Sequence, residues 1–442
     1  VRFQKLELAT WRQFSVVDID FHPSLTIITG TNGAGKSTIL NILGQFIGVH
    51  RPYLGTPVRS SGKNRFLSSV FSIASRYIPW RLPKTDPNWS DVGSVTYSNG
   101  LKTPLKVPTQ GQQQYSLHIS NQQPIYGFHM PSHRAVANYQ PVQSMAFGGA
   151  PPQNAFSTLI NEVYTVYQGS NSGYSTLFRL KEILANWAIY GEGNSTLGAD
   201  EEQRAAYLGF VEILHVLLPD EIGFTGLAVR APEIVVETKT GDFLIDALSG
   251  GLTAIIEIAA LIYTRSLMSD VVDGQFVVTM DEPENHLHPA IQRTILGSLV
   301  KAFPSVQFIV ATHSPFVVTS TPNSFVYALR YEELSVSDEV WAEGVRESNE
   351  QPLTLDKNAR KVQCIRLESA NLSTGPSEIL REVLGVPVTF PIWVEKSLEG
   401  LIAKYRNRPF SKETLSLLRT DVEEAGLAEF FPQAAIELGR TN

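Results

Sequence analysis

Gly30-Thr31-Asn32-Gly33-Ala34-Gly35-Lys36-Ser37 is the stretch that decides the fold. It follows the short apolar run Leu25-Thr26-Ile27-Ile28-Thr29. It precedes Lys36 to Phe46, where Ile39, Leu40, Leu43 and Phe46 recur at helical spacing. Strand, glycine-rich loop and helix in that order is the setting in which G-x-x-x-x-G-K-[ST] cradles phosphate. The glycines let backbone N–H groups converge on phosphate oxygens, and the helix N-terminus adds its positive end. Lys36 then neutralises the β- and γ-phosphates, and Ser37 ligates Mg²⁺. The competing reading, a glycine turn that only leads into a helix, does not require this flanking pattern. Gly30, Asn32, Gly33, Gly35, Lys36, Ser37 and Thr38 are therefore the expected phosphate-binding residues.

Upstream, Arg2 to Phe21 alternate apolar and polar types around Trp11 to Phe14, as two strands with a tight connection do. Trp11 and Phe14 read as hairpin core more readily than as a base-stacking surface. Far downstream, Phe276-Val277-Val278-Thr279-Met280-Asp281-Glu282 is an apolar strand that delivers two carboxylates at its carboxyl end, where open parallel sheets place their ligands. Asp281 is the expected Mg²⁺ residue and Glu282 the group that polarises an attacking water. Alone, such a pair could equally be a helix cap or a solvated turn. Leu248-Ser249-Gly250-Gly251-Leu252 opens the apolar helix Thr253 to Ser266, and a serine with two glycines at a helix start exposes N–H groups and a hydroxyl. His313 follows the apolar run Phe308 to Thr312, a place where a lone histidine is more often structural.

These four elements stand in the order and spacing of the ABC ATPase superfamily, and the resemblance covers residues 1–48 and about 234–330. Residues 248–252 resemble the LSGGQ signature, with Leu252 where glutamine is usual. The resemblance implies ATP and Mg²⁺ as ligands. It also implies that Ser249, Gly250 and Gly251 bind the γ-phosphate held by an opposing subunit, so that ATP holds a homodimer or higher homo-oligomer together. His313 resembles the switch histidine that contacts the γ-phosphate, so Glu282, His313 and Lys36 are the implied catalytic set. A glutamine between phosphate loop and signature completes the metal site in relatives, and Gln140 is the choice here beside Ser37 and Asp281. The runs Asp281-Glu-Pro-Glu-Asn-His-Leu-His-Pro289 and Ala311-Thr-His-Ser-Pro315 look more like overcoming-lysogenisation-defect and Septu-type ATPases, chiefly prokaryotic anti-phage proteins, than transporter subunits. His286 and His288 could open a metal site, but with no third ligand they read as part of the dimer seam.

The expected fold is α/β: a P-loop ABC-ATPase head with a mixed, largely parallel sheet, an antiparallel β region and a helical insertion. Residues 1–48 and 234–330 form the discontinuous core, 49–173 a β-rich insertion with long loops, and 174–233 a helical subdomain. Residues 331–442 form a C-terminal region for partner or oligomer contacts. Heptads do not persist over several turns, so the long coiled coil of chromosome-maintenance ATPases is not expected.

The 442 residues, 43% of them hydrophobic, can bury a large core. A net charge of −7 argues against broad polyanion attraction and leaves nucleic acid to a local basic face. Arg51, Arg59, Lys63, Arg65, Arg76, Arg81, Lys84, Lys102 and Lys106 could form one, or simply a solvated loop face. Cys364 is the single cysteine, which excludes an intrachain disulfide framework and fits the cytoplasm. Apolar runs fall short of the roughly 20 residues that span a bilayer, so no membrane contact is expected.

Two functions compete. The first is an anti-phage ATPase subunit that holds or regulates a separate effector, a nuclease or toxin. The second is a RecF-like maintenance ATPase that clamps DNA. Residues 38–248, lying between Ser37 and the signature, are a far larger insertion than a compact transporter subunit uses. After Asn323 no Asp-x-Asp pair follows an apolar strand, so effector chemistry is expected on another polypeptide.

Overall fold

The computed structural model describes residues 1–60, 63–67, 88–109, 112–133, 139–145, 150–170, 173–333, 360–367, 379–380, 392–406 and 408–441. The chain divides into two compact units, Val1–Ile379 and Leu380–Asn442.

In the first unit, β1 (Phe3–Trp11) and β2 (Phe14–Asp20) form the expected hairpin, β3 (Leu25–Gly30) leads into the phosphate loop, and α1 (Lys36–Phe46) leaves it. Next come β4 (Tyr53–Leu54), β5 (Thr56–Ser60), β6 (Lys63–Leu67), β7 (Trp89–Tyr97), β8 (Lys102–Pro108), β9 (Gln114–Tyr115), β10 (His118–Ile119) and β11 (Gly127–Met130). Helices α2 (Pro152–Tyr167), α3 (Thr176–Glu192) and α4 (Glu201–Leu217) follow, then β12 (Phe224–Arg230), β13 (Glu233–Thr238) and β14 (Phe243–Leu244). The signature helix α5 (Gly250–Ser266) precedes β15 (Val277–Asp281), α6 (Pro289–Gln292), α7 (Ile295–Ala302), β16 (Gln307–Thr312), α8 (Pro315–Val318), β17 (Phe325–Glu333) and β18 (Arg360–Leu367).

One 11-stranded sheet organises this unit, in the order β10-β8-β7-β1-β2-β18-β17-β3-β16-β15-β11. From β17 to β11 every pairing is parallel, and from β2 outward to β10 every pairing is antiparallel. The antiparallel region is thus a wing of the core sheet. Strands β3 and β16 are buried along their whole length, which is why they read as continuous apolar runs without alternation. Trp11 and Phe14 are buried in the hairpin core, and Trp11 meets Tyr53 edge-on at 5.1 Å.

The segment boundaries differ from expectation in three places. Helix α2 falls inside 49–173, where Ala155, Phe156, Leu159, Ile160 and Val163 make a buried helical stripe behind the Pro151-Pro152 start. Strand β12 falls inside 174–233 because it pairs with β13. The boundary at 330/331 cuts β17, and β18 belongs to the central sheet through pairing with both β17 and β2. Of the basic residues named above, Arg76, Arg81 and Lys84 lie outside the described residues.

The helical lobe is locally well specified. Ser175 accepts from Phe178 N at the start of α3, and Asp200 accepts from Glu202 N and Gln203 N at the start of α4. Lys181 on α3 is fully buried, and its Nζ donates to Asp246 Oδ2 at 2.6 Å, Gln140 O at 2.7 Å and Glu233 Oε2 at 3.3 Å. One cation therefore ties α3 to β13 and to the turn that leads into the signature. In the second unit, α9 (Ile392–Ala403), α10 (Lys412–Glu424) and α11 (Phe431–Thr441) enclose a small core of Val394, Leu398, Ile402, Leu418, Val422 and Leu438. Among the described residues no helix is long and apolar enough to cross a membrane.

Two stability predictions follow from these buried polar groups. Lys181→Met leaves Asp246 and Glu233 buried without their cation and should cost about 3–5 kcal/mol in denaturant unfolding. His129 on β11 is buried, meets Thr279 Oγ1 at 2.9 Å, and burial lowers its pKa from 6.5 to about 4. The folded state therefore holds it neutral. Its contribution is complete above pH 6.5 and is lost as pH falls towards 4. Across that window wild-type stability should fall by about 3 kcal/mol more than that of His129→Phe; equal acid slopes for the two proteins would refute this.

Candidate functional site

The site forms where β3, β15 and β16 end together. Their parallel register sets Asp281 opposite Ala311, Ala311 opposite Ile28, and Thr312 opposite Thr29, so the phosphate loop, the carboxylate pair and His313 emerge at one level. Gly35 caps α1 in the left-handed region at φ 101°. A Cβ there would lie 2.4 Å from Phe14 Cζ, so only glycine lets the loop close onto the hairpin.

Lys36 Nζ donates to Gly30 O at 2.9 Å and Thr31 O at 3.1 Å, and lies 3.3 Å from His313 Nδ1. These partners are neutral, and among the described residues no carboxylate stands within ion-pair distance of Nζ. Burial holds its pKa down at about 8, partly offset by the fields of Asp281, Glu282 and Glu284. A buried cation seated in a loop of backbone N–H groups, with no direct counter-ion, suits an anionic ligand.

Ser37 Oγ donates to Asp281 Oδ2 at 2.7 Å. Burial raises the Asp281 carboxyl, the Glu282 charge adds to that, and the Ser37 bond and Lys36 act the other way. A hydroxyl and a carboxylate held together at the mouth of the phosphate loop are an oxygen donor set that fits Mg²⁺.

Glu282 sits in the left-handed region at φ 49°, and its N–H donates to Ala311 O at 2.8 Å. That is a strained conformation for a residue with a side chain, held at its N–H by the end of β16. Its Oε1 lies 3.5 Å from His313 Nε2, and its Oε2 accepts from Asn285 Nδ2 at 3.1 Å. Burial and the neighbouring Lys36 lower the His313 pKa. A neutral imidazole accepting from Lys36 at Nδ1 and carrying its proton on Nε2 towards Glu282 satisfies both contacts.

The structure therefore brings together Lys36, Ser37, Asp281, Glu282 and His313, beside the loop carrying Gly30, Asn32, Gly33 and Gly35 and the first turn of α1 carrying Thr38. Ser249, Gly250 and Gly251 are placed elsewhere, at the N-terminus of α5. Ser249 and Gly250 are exposed, the Ser249 side chain makes no cap bond, and Gly251 packs on His286 O and Leu287. Gln140 is not brought together with Ser37 and Asp281. Its amide donates to Gly173 O at 3.1 Å and its carbonyl accepts from Lys181, so the helical lobe fixes it. After β11, Ser132 O accepts from Asn285 Nδ2 at 3.4 Å, the same amide that donates to Glu282 Oε2. Among the described residues no group of three or more His, Cys, Asp and Glu side chains is placed to hold a metal ion, so His286 and His288 gain no third ligand there.

Sequence reasoning passed over Glu284. It is buried, and its Oε1 accepts from Thr312 Oγ1, from His313 N at 3.2 Å and from Ser314 N at 3.3 Å. Burial raises its carboxyl against those three bonds. The signal available was no more than a third acid two places after Glu282, in a stretch that reads as a polar loop. Lys181 was passed over too, although a lysine among Leu177, Leu180 and Leu184 on one helix face signals a buried ion pair.

Residues 167–319 match a family described as AAA domain, putative AbiEii toxin, Type IV TA system, and residues 5–134 match one described as AAA domain. The chain is 23% identical to the Retron Ec83 probable ATPase of Escherichia coli over 395 residues, covering 75% of this chain and 72% of that protein. It is 40% identical to the Retron Vc95 probable ATPase of Vibrio cholerae over 60 residues, covering 14% and 12%. With the Septu protein PtuA of Bacillus thuringiensis it shares 27% identity over 124 residues, covering 26% and 31%. The SMC head domain from Thermotoga maritima aligns with a TM-score of 0.39 at 15% identity, over 83% of this chain and 100% of that one. The chain is an ATPase, similar to retron ATPases and to a Septu protein.

Two variants separate binding from chemistry. Lys36→Ala should abolish ATP binding in a calorimetric titration, because no other cation is seated in the loop. Glu282→Gln should bind ATP and lose on the order of 10²- to 10³-fold in turnover; full turnover in a clean preparation would end the assignment of Glu282.

Proposed function

We propose that this ATPase is the nucleotide-gated subunit of a prokaryotic anti-phage defence complex, in which ATP-dependent head-to-tail dimerisation holds or regulates a separate effector, a nuclease or toxin. The observation that carries the dimer is the placement of the signature. Ser249 and Gly250 present an exposed hydroxyl and free helix N–H groups at the start of a 17-residue helix, packed on His286 and Leu287 rather than among the phosphate-loop contacts. An exposed helix N-terminus of this kind suits a phosphate offered by a second copy. The similarity to the Retron Ec83 probable ATPase and to the Septu protein PtuA supports the defence setting.

In this reading Lys36 and the loop N–H groups hold the β- and γ-phosphates of ATP, and the partner copy's signature closes over the γ-phosphate. Ser37 and Asp281 would hold Mg²⁺, which supplies positive charge to the phosphates as the leaving group departs. Glu282 orients a water for in-line attack and draws its proton. His313 bridges Lys36 and Glu282, so it registers whether the lysine has turned to phosphate. Hydrolysis removes the anion that joined the two copies, and the dimer opens. The single Cys364 supports placing the complex in the cytoplasm.

Sedimentation of Glu282→Gln should give a dimer in ATP and a smaller species in ADP, and Ser249→Arg should remove the ATP-dependent dimer. Native mass spectrometry of the complex from its host, with its neighbouring gene products present, tests the effector. A stoichiometric nuclease or toxin is the expected result. A bare ATP-dependent dimer carrying only DNA would overturn it in favour of a DNA-clamping maintenance ATPase.

A further inference from the structure

We propose that Glu284 is a positioning residue for hydrolysis, the group that holds the switch segment Thr312–Ser314 and so aims the His313 imidazole at Lys36 and Glu282. This goes beyond the reading above and rests on it only in taking His313 as the switch. Strand β16 ends at Thr312, and the next two backbone N–H groups have left the ladder in a buried place. Such N–H groups need an acceptor: Glu284 Oε1 accepts from His313 N and shares Ser314 N with Thr312 Oγ1, which accepts from it at 2.9 Å and itself donates to Glu284 Oε1. A carboxylate is the strongest acceptor available for such a set.

The geometry makes this more than local satisfaction. Glu284 is two residues past Glu282 in the same turn, so one short stretch carries both the catalytic carboxylate and the anchor of the group facing it. His313 is fixed at its backbone by Glu284, and its ring spans the gap from Lys36 Nζ at 3.3 Å to Glu282 Oε1 at 3.5 Å. The segment is also tied on its far side. Ser314 Oγ donates to Gln292 Oε1 at 2.6 Å, and Gln292 Nε2 donates to Leu287 O at 2.9 Å. Leu287 and His286 are the residues on which signature Gly251 packs. The two ties leave His313 little freedom to move except with the loop 284–287.

A side chain that acts by aiming another should change turnover and leave binding alone. Glu284→Gln keeps shape and one carbonyl acceptor while losing the charge, so it should fold. We expect its Kd for ATP to stay within about twofold while kcat falls on the order of tenfold to a hundredfold, the scale of a misplaced reacting group. The deciding measurement is the double-mutant cycle with His313→Ala, read in single turnover. The loss caused by Glu284→Gln should vanish in the His313→Ala background, and Glu284→Asp should recover part of kcat. Equal fractional losses in both backgrounds would overturn the proposal, as would a fall in ATP affinity and thermal stability that matches the fall in kcat. Wild-type turnover by His313→Ala alone would remove the switch itself, and the proposal with it, while leaving the assignments of Lys36 and Glu282 intact.

Discussion

Parallel pairing among β3, β16 and β15 is the constraint from which the site follows. In such a ladder the strand ends stay level only if the register is kept, and a slip of one residue turns every side chain to the opposite face. Here the register puts Asp281 beside Ala311 and Thr312 beside Thr29. Lys36, Ser37, Glu282 and His313 are each within two residues of a boundary set by those strands or by the helix that begins at Lys36. Their meeting needs no long-range coincidence. It needs three buried strands whose apolar side chains pay for holding four charged or polar groups at one edge.

That edge is kept in a tense condition. Glu282 is held in a backbone region that side chains disfavour, and Lys36, Asp281 and Glu284 all have burial working against their charged forms. The Lys36 ammonium turns back onto loop carbonyls and His313, contacts that phosphate can replace with stronger ones. Desolvated groups in a rigid frame are what make an electrostatic site effective once its ligand arrives. Lys181 extends the same logic outward, since it pins the turn before Ser249 to the helical lobe through Asp246.

Much of this was legible in the order of residues. The phosphate loop stood between a strand and a helix, the paired acids closed an apolar strand, and Trp11 and Phe14 fell where hairpin core was expected. What was not legible has physical causes. Strand β18 is central in the sheet yet shows Lys361, Gln363 and Arg366 in sequence, because one of its faces stays partly open and Arg366 lies over the Phe325 ring at 3.8 Å. Glu284 looked like one more acid in a polar loop, since nothing in a sequence states that two backbone N–H groups some thirty residues on will need an acceptor. Gln140 misled because a glutamine at a plausible distance carries no directional signal, and a lysine on α3 decides where its loop goes.

The place of β18 bears on how the molecule is made. It is the strand that hydrogen-bonds the hairpin wing at β2 to the parallel half at β17. During synthesis the amino-terminal hairpin, the phosphate loop and the strands of both acids all leave the ribosome before residue 360 is joined. Until then β2 and β17 each present an open edge, the kind of surface on which other chains pair. A nascent chain stalled or cleaved short of Arg360 would therefore own Lys36, Asp281, Glu282 and His313 and still carry two adhesive seams. The burden falls on whatever shields newly made chains in the cell.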